Sequence, residues 1–248
     1  MFDSSCIVLV TGASSGIGKS IALELNSLGA TVLACGRHEQ RLEEAKNQAA
    51  NPLRWVSIQR DFMTNSEALP EWITQLRKEY GKLWGFAHAA GQGIMDSLQT
   101  YDLDTARQHF DINFHIPLML AKGFCDRRNF VKGGAMLFVT SSSAPFPEKG
   151  HLAYGAAKAA LANAAVVISQ EMASRGLRVN CLAPGIVDTP LQQQAEQFMG
   201  PRYREEQLAR YPLGFGTPED IAHMACFLLS SNARWITGQQ IVLGGGCY

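Results

Sequence analysis

The chain has 248 residues, of which 46% are hydrophobic, and its 22 basic residues balance 22 acidic ones. A formal net charge of zero argues against nucleic acid or an anionic membrane as the main partner, because proteins that bind them usually carry a surplus of Lys and Arg. The chain also lacks the run of about 18 apolar residues that would predict a transmembrane helix. We therefore expect neither a nucleic-acid partner nor a membrane partner.

No linker, internal repeat or low-complexity segment divides the chain, which predicts a single domain over residues 1–248. The N-terminal segment lacks the basic start and the long apolar run of a signal peptide. The six cysteines include no CxxC pair, and the six histidines include no HExxH pattern. We therefore expect neither disulfides nor a metal site. These features predict a cytoplasmic protein with free thiols.

Short apolar segments alternate with longer helical patterns along the chain. The apolar segments predict seven strands, at 6–11, 31–35, 53–58, 83–89, 135–141, 177–183 and 239–244. Helices are predicted between them, at about 16–28, 39–50, 66–79, 103–129 (broken at Pro117), 153–174 and 218–230. The strands are apolar throughout rather than alternating, so both faces of the sheet should be covered. The pattern predicts an α/β single-domain Rossmann fold, with a doubly wound seven-stranded parallel sheet and helices on both faces.

A glycine-rich loop, TGASSGIG at 11–18, follows the first predicted strand and opens the first helix. Gly12 permits a tight turn, Gly16 lets the backbone approach a phosphate, and Gly18 allows close packing of helix on strand. Free N–H groups and the helix dipole favour an anion at this point, although a purely structural turn is the alternative. In its strand–loop–helix context the loop predicts dinucleotide binding by Gly12, Ser14, Ser15, Gly16, Ile17 and Gly18.

The end of the second predicted strand bears on which dinucleotide is bound. NAD-binding sites place an acidic residue there to bind the ribose hydroxyl, whereas an arginine accommodates a 2′-phosphate. The chain has Gly36 and Arg37 at this point, and a guanidinium matches a phosphate dianion. We therefore predict NADP(H) in preference to NAD(H), with a solvated Arg37 as the alternative.

Segments after the third and fourth predicted strands supply further candidate contacts to the cofactor. Asp61 could accept a hydrogen bond from the adenine amino group, or it could be an ordinary turn residue. Small residues at 89–91 would let a ribose lie against the backbone. The residues predicted to bind here are Asp61, Phe62, Ala89, Ala90 and Gly91.

Ser141, Tyr154 and Lys158 form the pattern that bears most directly on chemistry. Ser141 ends the fifth predicted strand, and the tyrosine and lysine lie at i and i+4 on one face of the next helix. Redox chemistry between an alcohol and a carbonyl moves a proton on or off oxygen as hydride moves on or off carbon. A phenol can handle that proton if its pKa falls from about 10 toward the working pH, which an adjacent ammonium favours. The alternative is an aromatic core contact beside a surface lysine.

These motifs resemble those of the short-chain dehydrogenase/reductase family over essentially the whole chain. The matching segments are TGASSGIG, Asp61, AAG at 89–91, Asn113 in DINFHIP, Ser141, YGAAK, RVNCLAPGIVDT and GTPEDIAHMACFLLSSNARWITGQQIVLGGG. The resemblance implies that Tyr154 is the general acid/base and that Ser141 polarises the substrate carbonyl. It implies that Lys158 lowers the tyrosine pKa and binds ribose.

The resemblance also implies roles for other residues and for the assembly. Asn113 would hold a water in a proton relay. The backbone of Pro184, Gly185 and Val187 would contact the nicotinamide amide, and Thr189 would reach that amide or the phosphate. Relatives resembling 3-oxoacyl-[acyl-carrier-protein] reductases imply a small-molecule carbonyl or alcohol substrate, with a carrier-linked substrate left open. They imply a homo-oligomer, a tetramer or a dimer. The apolar faces of the helices at 103–129 and 153–174 predict that these helices form one interface.

The chain departs from the usual family pattern in three places. His88 and Ala89 stand where Asn-Asn is usual, the Arg that normally precedes GTPED is missing, and Gly244 takes the place of an Asp. The missing amides bear more on the local stability of the central strands than on the chemistry. The other two departures bear on packing and subunit contacts.

Residues 190–212 lie where the family has its mobile substrate lid. Arg202, Arg204 and Arg210 in this segment could meet an acidic carrier, which would suit a 3-oxoacyl thioester reductase, or they could be solvated residues of an amphipathic helix. An NAD-dependent alcohol or sugar dehydrogenase of the same family and a non-catalytic dinucleotide-sensing module also stay open. A sugar-nucleotide epimerase or dehydratase would need a larger C-terminal domain than we expect after the seventh strand.

Overall fold

The computed structural model describes residues 2–93 and 95–247, and Met1, Ile94 and Tyr248 lie outside the described residues. The strands are β1 (Ile7–Thr11), β2 (Thr31–Gly36), β3 (Trp55–Gln59), β4 (Leu83–His88), β5 (Phe130–Val139), β6 (Arg178–Pro184) and β7 (Gln240–Leu243). The α-helices are α1 (Gly16–Ser27), α2 (Glu39–Lys46), α3 (Leu69–Tyr80), α4 (Leu103–Phe110), α5 (Ile116–Phe124), α6 (Leu152–Ala173), α7 (Pro190–Met199), α8 (Tyr203–Leu208) and α9 (Pro218–Leu229).

All seven strands lie in one parallel sheet with the order β3-β2-β1-β4-β5-β6-β7. The predicted doubly wound seven-stranded sheet is therefore confirmed. The winding reverses between β1 and β4, and open sheets of this kind bind ligands at that point, beyond the carboxyl ends of the strands. β1 and β4 stay in register as far as Thr11 and His88. The glycine loop and residues 89–91 therefore leave the sheet side by side.

Apolar side chains cover both faces of the sheet. On one face, α1, α2 and α9 pack against β1, β2, β5 and β6. On the other face, α3, α5 and α6 pack around Phe86, whose ring centroid lies 5.7 Å from that of Phe124 and 6.3 Å from that of Phe138. Within the described residues, α6 alone has the length and apolar composition of a membrane-spanning helix. It packs against β6 and carries Tyr154 and Lys158, as a core helix of an α/β protein does.

The segment predicted as one helix over 103–129 differs from the prediction. α4 ends at Phe110, and residues 111–115 form a wider π-helical turn before α5 begins. Pro117 lies in the first turn of α5, where its missing N–H is tolerated. It cannot donate to the carbonyl of Asn113, four residues earlier, as another residue would. The helical path is therefore widened just before Pro117 rather than broken at it.

The same segment also ends earlier than predicted, and β5 begins at residue 130 instead of 135. The carboxylate of Asp126 accepts a hydrogen bond from the backbone N–H of Arg128 at 2.9 Å, and the side-chain amide of Asn129 donates to the carbonyl of Gly123 at 2.8 Å. Side chains that bond locally to the backbone in this way favour a turn over a continued helix. These contacts explain why apolar periodicity alone extends the helix too far.

Candidate active site

A cavity of about 830 Å³ opens at the carboxyl ends of the central strands. Its lining includes all four residues predicted to be catalytic, which are Asn113, Ser141, Tyr154 and Lys158. It also includes seven residues predicted to bind the cofactor, which are Ile17, Ala89, Gly91, Pro184, Gly185, Val187 and Thr189. The remaining predicted cofactor residues lie outside the cavity lining: Gly12, Ser14, Ser15, Gly16, Gly18, Arg37, Asp61, Phe62 and Ala90.

Ser141 is held in place by Ser143, a residue that sequence reasoning did not select. The Ser141 hydroxyl oxygen accepts hydrogen bonds from the backbone N–H of Ser143 at 3.2 Å and from its hydroxyl at 2.9 Å. With both lone pairs occupied, the Ser141 proton is free to be donated. Burial raises the pKa of the Tyr154 phenol, and a hydrogen bond with Ser141 opposes that rise. The serine is thus oriented to donate toward the oxygen of Tyr154 or toward a substrate oxygen beside it.

The ammonium group of Lys158 lies beneath Tyr154. The residue is only 4% exposed, and its Nζ donates to the carbonyl of Val139 at 3.0 Å, where β5 ends. Nζ lies 5.8 Å from the centroid of the Tyr154 ring. Burial lowers the pKa of Lys158 to about 8. In the described part of the chain no carboxylate forms an ion pair with it. Two of its three N–H donors therefore remain for a ligand.

Asn113 uses its side chain to fix the loop after β4. Its Nδ2 donates to the carbonyl of Gln92 at 3.0 Å, and its Oδ1 accepts from the backbone N–H of Gln92 at 3.3 Å. The amide is thus occupied at both ends, and Pro117 cannot supply the α-helical donor to the backbone carbonyl of Asn113. A water-holding role for Asn113 falls on that carbonyl. Gly91 fits between these groups because an added Cβ would lie 2.8 Å from Asn113 Oδ1 and 3.3 Å from Lys158 Nζ.

The glycine loop has the shape and the free donors that a dinucleotide phosphate requires. Gly12 and Gly16 have φ values of 72° and 52°, which residues with side chains rarely adopt. A Cβ on Gly12 would lie 2.8 Å from the backbone nitrogen of Ala90, and one on Gly18 would overlap the carbonyl oxygen of Gly12. The first turn of α1 has no side-chain cap on its N–H groups. These donors are available to an anion, so the residues present fit the predicted cofactor.

Arg37 lies at the carboxyl end of β2, next to the glycine loop. Its side chain is exposed, and within residues 2–93 and 95–247 no acidic group forms an ion pair with it. Ser14 lies against the neighbouring Gly36, where an added Cβ would be 3.1 Å from the Ser14 hydroxyl oxygen. Ser14 and Arg37 thus border the same strand end.

Asp61, the predicted adenine contact, and Phe62, another predicted cofactor residue, have structural roles of their own. The Asp61 carboxylate accepts a hydrogen bond from the backbone N–H of Met63 at 3.0 Å, as a turn residue does. Phe62 is 4% exposed, and its ring centroid lies 5.8 Å from that of Trp72. Phe62 can therefore reach a ligand only through its backbone.

Thr189 joins the lid to the glycine loop. Its hydroxyl oxygen accepts a hydrogen bond from the backbone N–H of Gln192 at 3.2 Å and so caps α7. Its methyl group lies against Gly16, where an added Cβ would be 3.3 Å away. The lid therefore begins beside the phosphate-binding loop, with the Thr189 hydroxyl proton still available.

The lid arginines are largely engaged within the chain. Arg204 pairs with Asp188 and Glu196 at 2.8 Å each. Arg210 pairs with Glu148 at 2.5 Å, and both residues line the cavity. Arg202 is exposed and has no ion-pair partner among the described residues. Only one of the three predicted carrier-binding arginines therefore has a free charge.

His88, one of the departures from the family pattern, is completely buried at the end of β4. Its Nδ1 forms a hydrogen bond with the hydroxyl of Thr11 at 2.9 Å, and the Thr11 oxygen accepts from the backbone N–H of Ala90 at 3.3 Å. Its Nε2 is buried without a hydrogen-bond partner in the described residues. Burial, followed by the nearby Lys158 charge, lowers the pKa of His88 to about 3. The ring is therefore neutral and ties β1 to the segment at 89–91.

Known proteins resemble this chain in sequence over nearly its full length. A family model described as enoyl-(acyl carrier protein) reductase matches residues 12–248. A 3-oxoacyl-[acyl-carrier-protein] reductase from Thermotoga maritima is 29% identical over 248 residues, which cover 97% of this chain and 96% of the relative. An NAD-dependent glycerol dehydrogenase from Listeria innocua is 29% identical over 243 residues, covering 97% and 92%.

Solved structures of known proteins also resemble this chain in fold. A short-chain type dehydrogenase/reductase from Mycobacterium ulcerans superposes with a TM-score of 0.89 at 28% identity, covering 100% of this chain and 91% of that one. The family match, the sheet order and the clustered Ser141, Tyr154 and Lys158 agree. The chain belongs to the short-chain dehydrogenase/reductase family of oxidoreductases.

Proposed function

We propose that the protein is an NADP(H)-dependent oxidoreductase that interconverts a carbonyl compound and a secondary alcohol, with Tyr154 as general acid/base. The observation that carries this proposal is the convergence of Ser141, Tyr154 and Lys158 on one cavity beside the glycine loop. A dinucleotide-sensing module would need the loop but not this trio. The oxidoreductase relatives support the same reaction class.

Different residues around the cavity bind the substrate oxygen, transfer the proton and stabilise the phenolate. The bound cofactor supplies or accepts the hydride. Ser141, oriented by Ser143, donates a hydrogen bond to the substrate oxygen, and Tyr154 gives a proton to that oxygen in reduction or takes one in oxidation. Lys158 stabilises the phenolate through its buried charge and binds ribose hydroxyls with its remaining N–H groups. The Asn113 carbonyl holds a water that links Lys158 to solvent.

The preference for NADP(H) rests on Arg37. Its exposed guanidinium and the Ser14 hydroxyl border the strand end where a 2′-phosphate would lie, and no acidic side chain is present at the tip of β2 to bind a free ribose hydroxyl. The glycerol dehydrogenase relative is named as NAD-dependent. An NAD-dependent alcohol or sugar dehydrogenase is therefore the second candidate, and the two differ in cofactor affinity.

The substrate is a small-molecule carbonyl or alcohol compound. The lid side of the cavity combines apolar side chains, such as Leu191 and Phe198, with polar ones such as Gln192 and Tyr203. The named 3-oxoacyl reductase relative favours a 3-oxoacyl thioester. The ion pairs of Arg204 and Arg210 weaken the case for a carrier docked on the lid, because their charges are already balanced.

A homo-oligomer, tetramer or dimer, is part of the proposal. Helix α6 is apolar around most of its surface, and on its outer side Val166 and Val167 are 37% and 48% exposed. Helices that are apolar all round are normally covered on all sides. Sedimentation at micromolar concentration should therefore show an assembly, and a monomer would contradict this part.

Replacement of Tyr154 by Phe tests the proposed function. The change removes one oxygen and little volume, so the fold and NADPH affinity should survive while carbonyl reduction falls by about 10²–10⁴-fold. Burial raises the pKa of Tyr154, and in this proposal the Lys158 ammonium and the positive ring of the oxidised nicotinamide together outweigh burial. Alcohol oxidation by the unmodified protein should therefore rise with pH to an apparent pKa below the value of about 10 for free tyrosine. Near-normal turnover by the Phe variant on a good substrate would show that the tyrosine is structural.

A further inference from the structure

His151 stands in the cavity one helical turn before Tyr154 and is fixed by its backbone. Its carbonyl accepts a hydrogen bond from the N–H of Gly155 at 2.8 Å, and it forms a parallel bridge with Asp96. The Asp96 carboxylate in turn accepts from the N–H of Ala153 at 3.2 and 3.0 Å and so caps the start of α6. The His151 ring centroid lies 5.8 Å from that of Tyr154. The backbone of His151 therefore has a fixed position relative to the acid–base group, and its ring lies beside the ring of Tyr154.

The two ring nitrogens of His151 have different surroundings. Nδ1 is buried and has no hydrogen-bond partner in the described part of the chain, whereas Nε2 is not among the buried unpaired atoms. An orphaned N–H is rarer in protein interiors than an orphaned acceptor. The neutral ring therefore keeps its proton on Nε2, the nitrogen that remains accessible in a residue that lines the cavity.

Burial also favours the neutral form of the ring. Burial lowers the pKa of His151, and the carboxylates of Glu148 and Asp96 only partly oppose this effect. A neutral donor does not select a carboxylate or phosphate by charge. It selects a neutral acceptor oxygen, such as that of a hydroxyl, ketone or ester group.

We infer that His151 is a specificity-determining residue that donates a hydrogen bond from Nε2 to a second oxygen of the substrate, close to the reacting carbonyl. This inference rests on the proposed function and narrows its substrate class. The enzyme should prefer carbonyl compounds with a neutral oxygen on the α or β carbon over simple ketones of the same length. Tyr154 and Ser141 would hold the reacting oxygen, and His151 would hold its neighbour.

The test compares 3-hydroxy-2-butanone with 2-butanone as NADPH-dependent substrates of the unmodified protein, His151→Leu and His151→Gln. The readout is the kcat/KM for 3-hydroxy-2-butanone divided by the kcat/KM for 2-butanone. The intrinsic reactivities of the two ketones are the same for all three proteins and therefore do not affect the comparison. We expect the ratio to fall about tenfold in the Leu variant, as for loss of one hydrogen bond in a closed site, and to recover largely in the Gln variant, which keeps a donor. The kcat/KM for 2-butanone reports whether Tyr154 remains in place.

An unchanged ratio in His151→Leu would overturn the inference. If the Leu variant loses all turnover, His151→Phe, which keeps an aromatic ring but no donor, takes its place: a ratio that falls about tenfold supports the hydrogen bond, and an unchanged ratio refutes it. Failure of the proposed function looks different, because the unmodified protein would then reduce neither ketone, nor any other carbonyl compound in a wider panel, with NADPH or NADH. That result would contradict both the proposed function and the inference about His151.

Discussion

The Lys158 ammonium donates to the Val139 carbonyl at 3.0 Å, so the lysine is anchored to the end of β5 before any ligand binds. The anchor and the helical spacing fix Nζ 5.8 Å from the ring of Tyr154. Burial weakens the charged form and lowers the pKa of Lys158 to about 8, and no carboxylate pairs with it in the described residues. A positive charge held this way is available to stabilise a phenolate and to bind hydroxyl groups.

Replacing Lys158 by Ala should damage both turnover and cofactor binding, because the ammonium is assigned both roles. We expect turnover to fall by about 10²-fold or more, and the dissociation constant of NADPH to rise by about ten- to a hundredfold, as for loss of hydrogen bonds from a charged group. Steady-state kinetics and fluorescence titration measure the two effects. Lys122→Ala, on the exposed side of α5, is the matched control. A Lys158 variant with normal NADPH affinity would remove the second role.

The serine cluster yields a graded prediction. Ser143→Ala removes the hydroxyl that donates to Ser141 but keeps the backbone N–H that also donates to it. We expect turnover to fall about tenfold through misorientation of Ser141, and more in Ser141→Ala, with NADPH affinity little changed in either. Ser142→Ala should be mild, because in the described part of the chain the Ser142 side chain makes no hydrogen bond to Ser141 or Ser143. Equal activity of the Ser142 and Ser143 variants would contradict the positioning role.

The strands and most helices could be predicted because their apolar segments and turn residues are local signals. The ends of some helices could not be predicted. Side chains such as those of Asp126 and Asn129 bond to nearby backbone there, and the helix does not continue. The widened π-helical turn before Pro117 could not be predicted either. A proline marks a change in the helix but does not say whether the helix breaks or bulges.

The candidate site also contains features that could be predicted from the sequence and features that could not. Ser141, Tyr154 and Lys158 could be selected because their spacing along the chain carries the chemistry. The hydrogen-bond partner of Asn113 could not be predicted, because Gln92 lies 21 residues away and only the fold brings the two residues together. The bond from Thr11 to His88 spans 77 residues. Sequence reasoning marked His88 as unusual but could not show what it contacts.

Cofactor preference tests the role of Arg37. We expect NADPH to bind at least about tenfold more tightly than NADH, a difference of about 1.4 kcal/mol, because a guanidinium can pair with the 2′-phosphate. Arg37→Ala should remove most of this preference by weakening NADPH binding and leaving NADH binding nearly unchanged. Calorimetric titration with both cofactors measures it, and Arg41→Ala, on the exposed side of α2, is the control. Equal affinities for the two cofactors in the unmodified protein would disprove the preference.

The buried His88 should make the protein sensitive to mild acid. Its pKa is about 3 in the folded protein, because burial and the Lys158 charge disfavour the cation, and about 6.5 in an unfolded chain. Between these values the unfolded state binds more protons than the folded state, so the free energy of unfolding falls as pH falls. The contribution of His88 is present above pH 6.5 and is lost progressively toward pH 3. From pH 7 to pH 5 the expected loss from this residue is about 2 kcal/mol.

Replacing His88 by Asn isolates this effect, since Asn does not titrate but can still bond with Thr11. Urea unfolding at pH 7 and pH 5, at one protein concentration, gives the change in free energy for each protein. The unmodified protein should lose about 2 kcal/mol more than His88→Asn over this range, because all other titrating groups are shared. His223→Asn, at an exposed position on α9, should behave like the unmodified protein. If His88→Asn loses as much stability as the unmodified protein, then His88 is protonated in the folded state and the buried neutral ring is ruled out.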